Sequence, residues 1–358
     1  MTGTTEAPQE NLSAVLYKKG DLRLVNLPIP EPKDDEVLLR MGSVGICGSD
    51  VAFWVKGCLG GDGLFPVVEP LVMGHEAAGT VLKVGANVKN LQPGDRVAIE
   101  PGVGCRYCDH CKVGRYNLCP DEMFCATPPN SGNISRYYTH PADFCFKLPD
   151  HVSLEEGALC EPLAVGVKTT RRAELKVGQT VFITGAGPIG LINMLVAKYL
   201  GASTVIMSDV RADRLEFAKE LGADHTITVD GTYDSEKLAK EVVQALGAQA
   251  NVSIECSGAE ISIRAAIRAT KSGGKVVLVG YTPPEVTVPL VDAATREVDI
   301  RGVFRYENCY PEALAIVASG KVDVKKLITH NYTIEETLEA FETARTGAGG
   351  AIKVMIHC

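Results

Sequence analysis

The chain has 358 residues, 36 of them Gly and 12 of them Cys, with an apolar fraction of 46% and a charged fraction of 22%. This composition excludes a disordered chain, and the length predicts about two domains at roughly 100–200 residues each. Lys and Arg number 36 against 44 Asp and Glu, so the net charge of −8 leaves no electrostatic footprint for nucleic acid or an anionic membrane.

Twelve Cys in a chain this long are too dilute for a disulfide scaffold. The polar, acidic start Met1-Thr2-Gly3-Thr4-Thr5-Glu6 does not read as a secretory or mitochondrial signal. A cytoplasmic, reducing location is therefore expected, with thiols that are free, metal-bound or catalytic. The uncharged stretch Val181–Ala197 is broken by Gly185, Gly187, Pro188 and Gly190 and is too short to span a membrane.

Residues 12–160 read as short strands separated by turns. Ala14–Tyr17, Asp21–Leu24, Glu36–Met41, Thr80–Val84 and Arg96–Ile99 are β-like runs, and Pro93-Gly94-Asp95 is a turn between strands. The density of Pro and Gly predicts an irregular antiparallel domain. The texture changes near residue 165. Strands at Val181–Thr184, Thr204–Ser208, His225–Val229, Val252–Cys256 and Lys275–Gly280 alternate with helices at Ile189–Leu200, Arg211–Leu221, Ser235–Leu246 and Ala259–Lys271. That alternation predicts a parallel, doubly wound α/β sheet. Past residue 303 about 55 residues remain, too few for a further domain, so the chain is expected to rejoin the first one.

Gly185-Ala186-Gly187-Pro188-Ile189-Gly190 follows an apolar strand and opens a helix, the context in which G-x-G-x-x-G binds a dinucleotide. Gly185 permits the tight turn, Gly187 lets the backbone approach a pyrophosphate, and Gly190 lets helix and strand pack closely. Free N–H groups at the helix start face the phosphates. The plain alternative is a Gly-rich turn without a ligand. Asp209 ends the next strand about 20 residues on, where a carboxylate binds the ribose hydroxyls and repels a 2′-phosphate. NAD is therefore expected over NADP, although Arg211 and Arg214 nearby could pair with a phosphate. Asp209 could also cap the following helix.

Cys105, Cys108, Cys111 and Cys119 place four thiols within 15 residues. Four thiolates make a closed tetrahedral zinc site, which is structural because no position is open. His75 and Glu76 in Gly74-His75-Glu76, Cys47 in Gly45-Ile46-Cys47-Gly48-Ser49-Asp50 and Glu161 are further candidate ligands. Their spacing does not connect them.

Taken together, these segments resemble the zinc-containing medium-chain dehydrogenases, and within them the sorbitol (polyol) dehydrogenases and ketose reductases. The resemblance covers nearly the whole chain. Its most specific stretches include Val44–Asp50, Gly94–Pro101, Phe124–Pro129, Arg296–Ile300 and Gly302–Tyr306. It implies a GroES-like irregular β-barrel catalytic domain over residues 1–163 and 303–358, with the structural zinc lobe at 100–120. It implies a Rossmann NAD-binding domain over residues 164–302. A catalytic zinc would be held by Cys47, His75 and Glu76, with Glu161 contacting it directly or through water, giving two Zn per chain. Ser49 would pass on the substrate proton. Phe53, Thr127, Glu161, Arg305 and Tyr306 would face the polyol. Gly185, Gly187, Ile189, Gly190, Asp209, Arg214, Val279, Gly280, Tyr281, Val303, Phe304 and Arg305 would line the dinucleotide. The implied activity is hydride transfer between a polyol (sorbitol, xylitol or related) and NAD, giving a 2-ketose, in a homotetramer.

One segment departs from the family pattern. Ala52-Phe53 stands where a His-Tyr pair is usual, removing a proton-relay end and a substrate-facing hydroxyl, and the loop Gly57–Pro66 is long and Gly-rich. Substrate choice is the property this touches, through either altered discrimination or neutral drift. Alternatives are an NADP-preferring ketose reductase, another sugar-alcohol dehydrogenase such as one for arabinitol or xylitol, and a silent NAD-binding paralogue. A zinc-lobe nucleic-acid module is disfavoured by the net charge.

Overall fold

The structure is a computed structural model that describes residues 10–59, 63–281 and 283–358. The chain divides into two units. One comprises residues up to Leu59, Gly63–Glu161 and Val324–Cys358, and the other is Pro162–Asp323.

In the first unit the strand Glu36–Gly45 is the hub. It pairs antiparallel with Glu76–Val84, Tyr137–Pro141 and the C-terminal strand Lys353–His357. Seven strands share this sheet, running Cys145–Lys147, Arg96–Ile99, Glu76–Val84, Glu36–Gly45, Lys353–His357 and Ile328–Thr333, with Tyr137–Pro141 off that path. A three-stranded sheet joins Asp21–Leu27, Asn11–Lys18 and Leu71–Val72. Val37, Leu39, Met41 and Val44 of the hub are buried in one apolar cluster with Leu16, Val81, Val97 and Ile356, which is why the hub is apolar along most of its length. Gly94 makes the expected turn at φ +92°, a left-handed conformation that favours glycine. Beyond it, Arg96 donates to the backbone carbonyls of Pro149, Asp150 and Val152 at 2.6–2.9 Å, tying sheet to loop.

The second unit is a six-stranded parallel sheet. Its order is His225–Thr228, Thr204–Asp209, Thr180–Thr184, Ala250–Glu255, Thr270–Leu278 and Asp299–Gly302. Strand order reverses between Thr180–Thr184 and Ala250–Glu255, the switch point of a doubly wound sheet. Helices lie at Pro188–Tyr199, Ala212–Glu220, Ser235–Leu246 and Glu260–Ala269. Among the described residues no helix is long and apolar enough to cross a membrane.

Residues 303–323 fall in the second unit, and the first resumes at Val324; the 303–323 segment is tied to the helix Cys160–Ala173. Lys168 pairs with Glu307, Arg171 meets Glu312 at 2.6 Å, and Arg172 donates to the carbonyl of Gly302. Two details differ from expectation. The strand expected to start at Lys275 starts at Thr270, directly after the helix ending at Ala269, with Gly273 at φ +70°. Cys256 lies one residue beyond its strand, where Asn193 Nδ2 donates to its sulfur at 3.7 Å.

The first unit also buries a histidine. His140 has no exposed surface, its Nε2 lies 2.8 Å from the carbonyl of Glu100, and its Nδ1 lies 3.4 Å from the Tyr138 hydroxyl. Burial lowers its pKa to about 4. The unfolded chain therefore binds the extra proton first as pH falls, so stability is full above about 6.5 and is lost towards about 4. This slope of denaturant-measured stability against pH is expected to flatten in His140→Gln, and an unchanged slope would refute the assignment.

Candidate active site

Cys47 caps the helix Gly48–Lys56 at the end of the hub strand, and His75 and Glu76 lie at the start of its neighbour. One ligand atom from each lies within 4.8 Å of the others. Asp50, fully buried in the first helical turn, joins these segments. Its Oδ2 accepts from the Cys47 N–H at 2.9 Å, its Oδ1 accepts from the Gly74 N–H at 3.1 Å, and Oδ1 stands 3.5 Å from His75 Nδ1. Burial opposes protonation of His75, but the Asp50 carboxylate outweighs it and raises the pKa well above the ordinary value. A carboxylate behind a histidine is the arrangement that orients and strengthens a metal ligand.

Glu76 is held by a buried cation. Lys353 Nζ lies 2.7 Å from both carboxylate oxygens and donates to the carbonyl of Ile46 at 3.2 Å. Burial alone would lower the Lys353 pKa; Glu76, then Cys47 and Glu161, raise it. Gly45 sits directly opposite Glu76, and a Cβ there would lie 2.2 Å from Glu76 Oε2. The set that closes has three members. Glu161, buried in the first turn of Cys160–Ala173, is outside it, although its charge reaches Lys353 and Cys125. One thiol, one imidazole and one carboxylate fit zinc with a fourth position open. Ser49 is half-buried beside Cys47, and Thr127 is buried past Phe124, whose ring lies 5.6 Å from that of His75. Phe53 is 1% exposed and belongs to the core cluster.

The thiols of Cys105, Cys108, Cys111 and Cys119 also lie within 4.8 Å of one another. The N–H groups of Cys105, Cys108 and Cys111 donate to the sulfurs of Cys119, Cys105 and Cys108 at 3.3–3.4 Å. Burial raises the Cys105 pKa, yet backbone N–H groups of Tyr107 and Cys108 bring it down to about 7. Cys111 is pushed up to about 12, by desolvation first and then by the crowded sulfurs around it. Four thiols this close ionise together only around a cation, so this set fits a closed zinc site.

In the second unit the three glycines differ in their surroundings. Gly185 has φ +87°, and a Cβ on Gly190 would lie 1.8 Å from the carbonyl oxygen of Gly185. Gly187 is open, with only Arg214 Nη1 near its missing Cβ, at 3.7 Å. Ile189 lies half-buried in the first turn of the helix that follows. Asp209 bridges the turn, accepting from the N–H of Ala186 at 2.6 Å and of Arg211 at 2.8 Å. It does not cap the helix Ala212–Glu220, whose N-terminal cap is Arg211. Arg214 Nε is buried without a hydrogen bond, an orphaned donor beside an open backbone. Val279–Tyr281 and Val303–Arg305 follow the carboxyl ends of adjacent strands and are joined by the Val303 N–H donating to the carbonyl of Leu278 at 3.0 Å. The Arg305 guanidinium lies over the Phe304 ring, and Tyr306 is buried against Tyr310. Open backbone at the strand carboxyl ends, with the unpartnered Arg214 Nε beside it, fits a dinucleotide.

A family model for zinc-binding dehydrogenases matches residues 188–319, and one for the alcohol dehydrogenase GroES-like domain matches residues 33–150. Sorbitol dehydrogenase from Bos taurus is 55% identical over 352 residues, covering 98% of this chain and 97% of the relative. Sorbitol dehydrogenase from Gallus gallus is 53% identical, with 98% of each chain covered. The chain belongs to the sorbitol dehydrogenase family of zinc-binding dehydrogenases. A structure of an Escherichia coli short chain alcohol dehydrogenase complexed with the cofactor NADH superposes with a TM-score of 0.89, at 26% identity, covering 98% of this chain and 99% of that one. This member of the sorbitol dehydrogenase family is therefore an oxidoreductase of the zinc-binding dehydrogenase class.

Sequence reasoning missed Asp50 and Lys353. The spacing Cys47-x-x-Asp50 is that of a reciprocal helix cap and signals Asp50. Only a Lys heading the buried apolar run Val354–Ile356 marks Lys353. Metal analysis of the purified protein is expected to find about two zinc per chain, falling to about one in Cys108→Ser. A wild-type value near one would remove one of the two sites.

Proposed function

We propose that this protein interconverts a polyol and its 2-ketose, with NAD as the partner cofactor. The observation that carries this reading is the closed set of Cys47, His75 and Glu76. Zinc there supplies a Lewis acid with one exchangeable position. The dinucleotide supplies the hydride acceptor, and the protein supplies orientation.

The residues then divide the work. Asp50 and Lys353 hold the histidine and carboxylate ligands in place from behind. Ser49, beside Cys47 and half-buried, takes the proton released from the substrate hydroxyl and hands it outward to water, because Ala52 cannot relay it. Glu161 stands near the three-ligand set as the carboxylate that binds water or a substrate hydroxyl. Thr127 hydrogen-bonds a further polyol hydroxyl. Gly187 admits the pyrophosphate, Arg214 faces it, and Val279–Tyr281 with Val303–Arg305 face the nicotinamide. Asp209 keeps acceptor capacity beyond its two backbone partners for the ribose hydroxyls, and its charge repels a 2′-phosphate.

The kcat/KM for NAD is expected to exceed that for NADP by at least about tenfold with sorbitol or xylitol, a difference of about 1.4 kcal/mol in transition-state binding. A preference for NADP would overturn the cofactor reading, and no turnover across a polyol panel would overturn the activity.

The same reading places the protein in the cytoplasm, where cysteines without disulfide partners belong, and makes it a homotetramer. The strand Asp299–Gly302 ends the six-stranded sheet, with Ile300, Leu290 and Val291 exposed around it. Two copies joined there would extend the sheet and cover this apolar face. Light scattering of a Leu290→Glu, Val291→Glu double variant is expected to give a smaller assembly than wild type; identical masses would exclude this face.

A further inference from the structure

Glu255 ends the strand Ala250–Glu255 at the switch point of the parallel sheet, and its side chain has no exposed surface. One oxygen, Oε1, accepts four hydrogen bonds. They come from Thr184 Oγ1 at 3.1 Å, Ser257 N at 2.8 Å, Ser257 Oγ at 2.6 Å and Gly258 N at 2.8 Å. The backbone carbonyl of the same residue accepts from the N–H groups of Val279 and Gly280, both at 2.9 Å. The other carboxylate oxygen, Oε2, is buried without a partner and faces Gly280, where a Cβ would lie 2.8 Å away.

These bonds reach three segments. Thr184 immediately precedes Gly185 of the glycine turn, Ser257-Gly258 forms the turn after the central strand, and Val279-Gly280 forms the turn after the next one. The last two turns touch through bare backbone. A Cβ on Gly258 would lie 2.0 Å from the Tyr281 carbonyl oxygen, and one on Gly280 would lie 2.5 Å from the Gly258 nitrogen. Neither turn can shift without the other. Burying a carboxylate is costly unless several strong donors converge on it, and here they converge from the turns themselves.

We propose that Glu255 is a positioning residue that fixes the nicotinamide half of the dinucleotide site, leaving the adenosine half to Asp209 and Arg214. This rests on the reading that the second unit takes NAD. Glu255 touches neither cofactor nor substrate in this role. It sets the height and angle of the Val279–Tyr281 turn relative to the glycine turn. A neutral amide would keep the shape while weakening the four donated bonds and placing an NH2 group against Gly280.

The test compares NADH with ADP-ribose, which lacks the nicotinamide, on the zinc-loaded full chain. In Glu255→Gln the Kd for NADH is expected to rise about tenfold, while the Kd for ADP-ribose stays within about twofold. Ser257→Ala, which removes one donor and keeps the charge, is expected to move in the same direction by about threefold, and it carries the test if Glu255→Gln does not fold. Equal weakening of both ligands would reveal general loosening and overturn the proposal, as would unchanged NADH binding in both variants. A wild-type protein that binds neither ligand would instead overturn the dinucleotide reading itself.

Discussion

Asp50, His75, Glu76 and Lys353 are all buried in the first unit, and the need to pair them organises everything around the candidate metal centre. A charge removed from water is tolerated only against an opposite charge with its remaining hydrogen-bonding capacity used. Lys353 meets this by facing Glu76 and the Ile46 carbonyl, and Asp50 by taking two backbone N–H groups beside His75. The sheet enforces both solutions. The strands bearing Glu76 and Lys353 lie on either side of Glu36–Gly45, and the chain leaves that hub directly into Cys47. The candidate ligands are thus held by an electrostatic network of the chain's own buried side chains.

The two candidate zinc sites reach order by different routes. The four-cysteine lobe is local, and its backbone N–H groups are aimed at its own sulfurs. Little apolar core supports it: Cys119 is buried, but Cys105, Cys108 and Cys111 are only partly so. It depends on the cation for its cohesion. The three-residue site is assembled from distant segments on a rigid sheet and has polar residues behind each ligand, the arrangement suited to holding geometry while one position exchanges.

Legibility in the sequence follows this difference. The cysteine lobe and the glycine turn were readable because their chemistry lies within 15 residues or fewer and depends on local backbone rules. The alternating strands and helices of the second unit were readable from period and length, with shifts of a few residues where a helix runs straight into a strand at Thr270. Cys47, His75 and Glu76 could be joined only through family resemblance, since no spacing rule spans the gap. Lys353 was illegible because its partner lies 277 residues away. The point at which the chain returns to the first unit is hard to read for a similar reason. Length argues that a short tail rejoins the first domain, but the side chains of Glu307 and Glu312 decide when, by binding Lys168 and Arg171.

Gly45 gives the network its narrowest tolerance. Its missing side chain is the space through which the Glu76 carboxylate passes to reach Lys353. Even a methyl group there would displace the Glu76 carboxylate, and a shorter acid at 76 would leave the lysine unanswered. Gly45, Glu76 and Lys353 therefore form one steric and electrostatic unit: a gap, an acid and a base drawn from three distant parts of the chain, each sized to the other two.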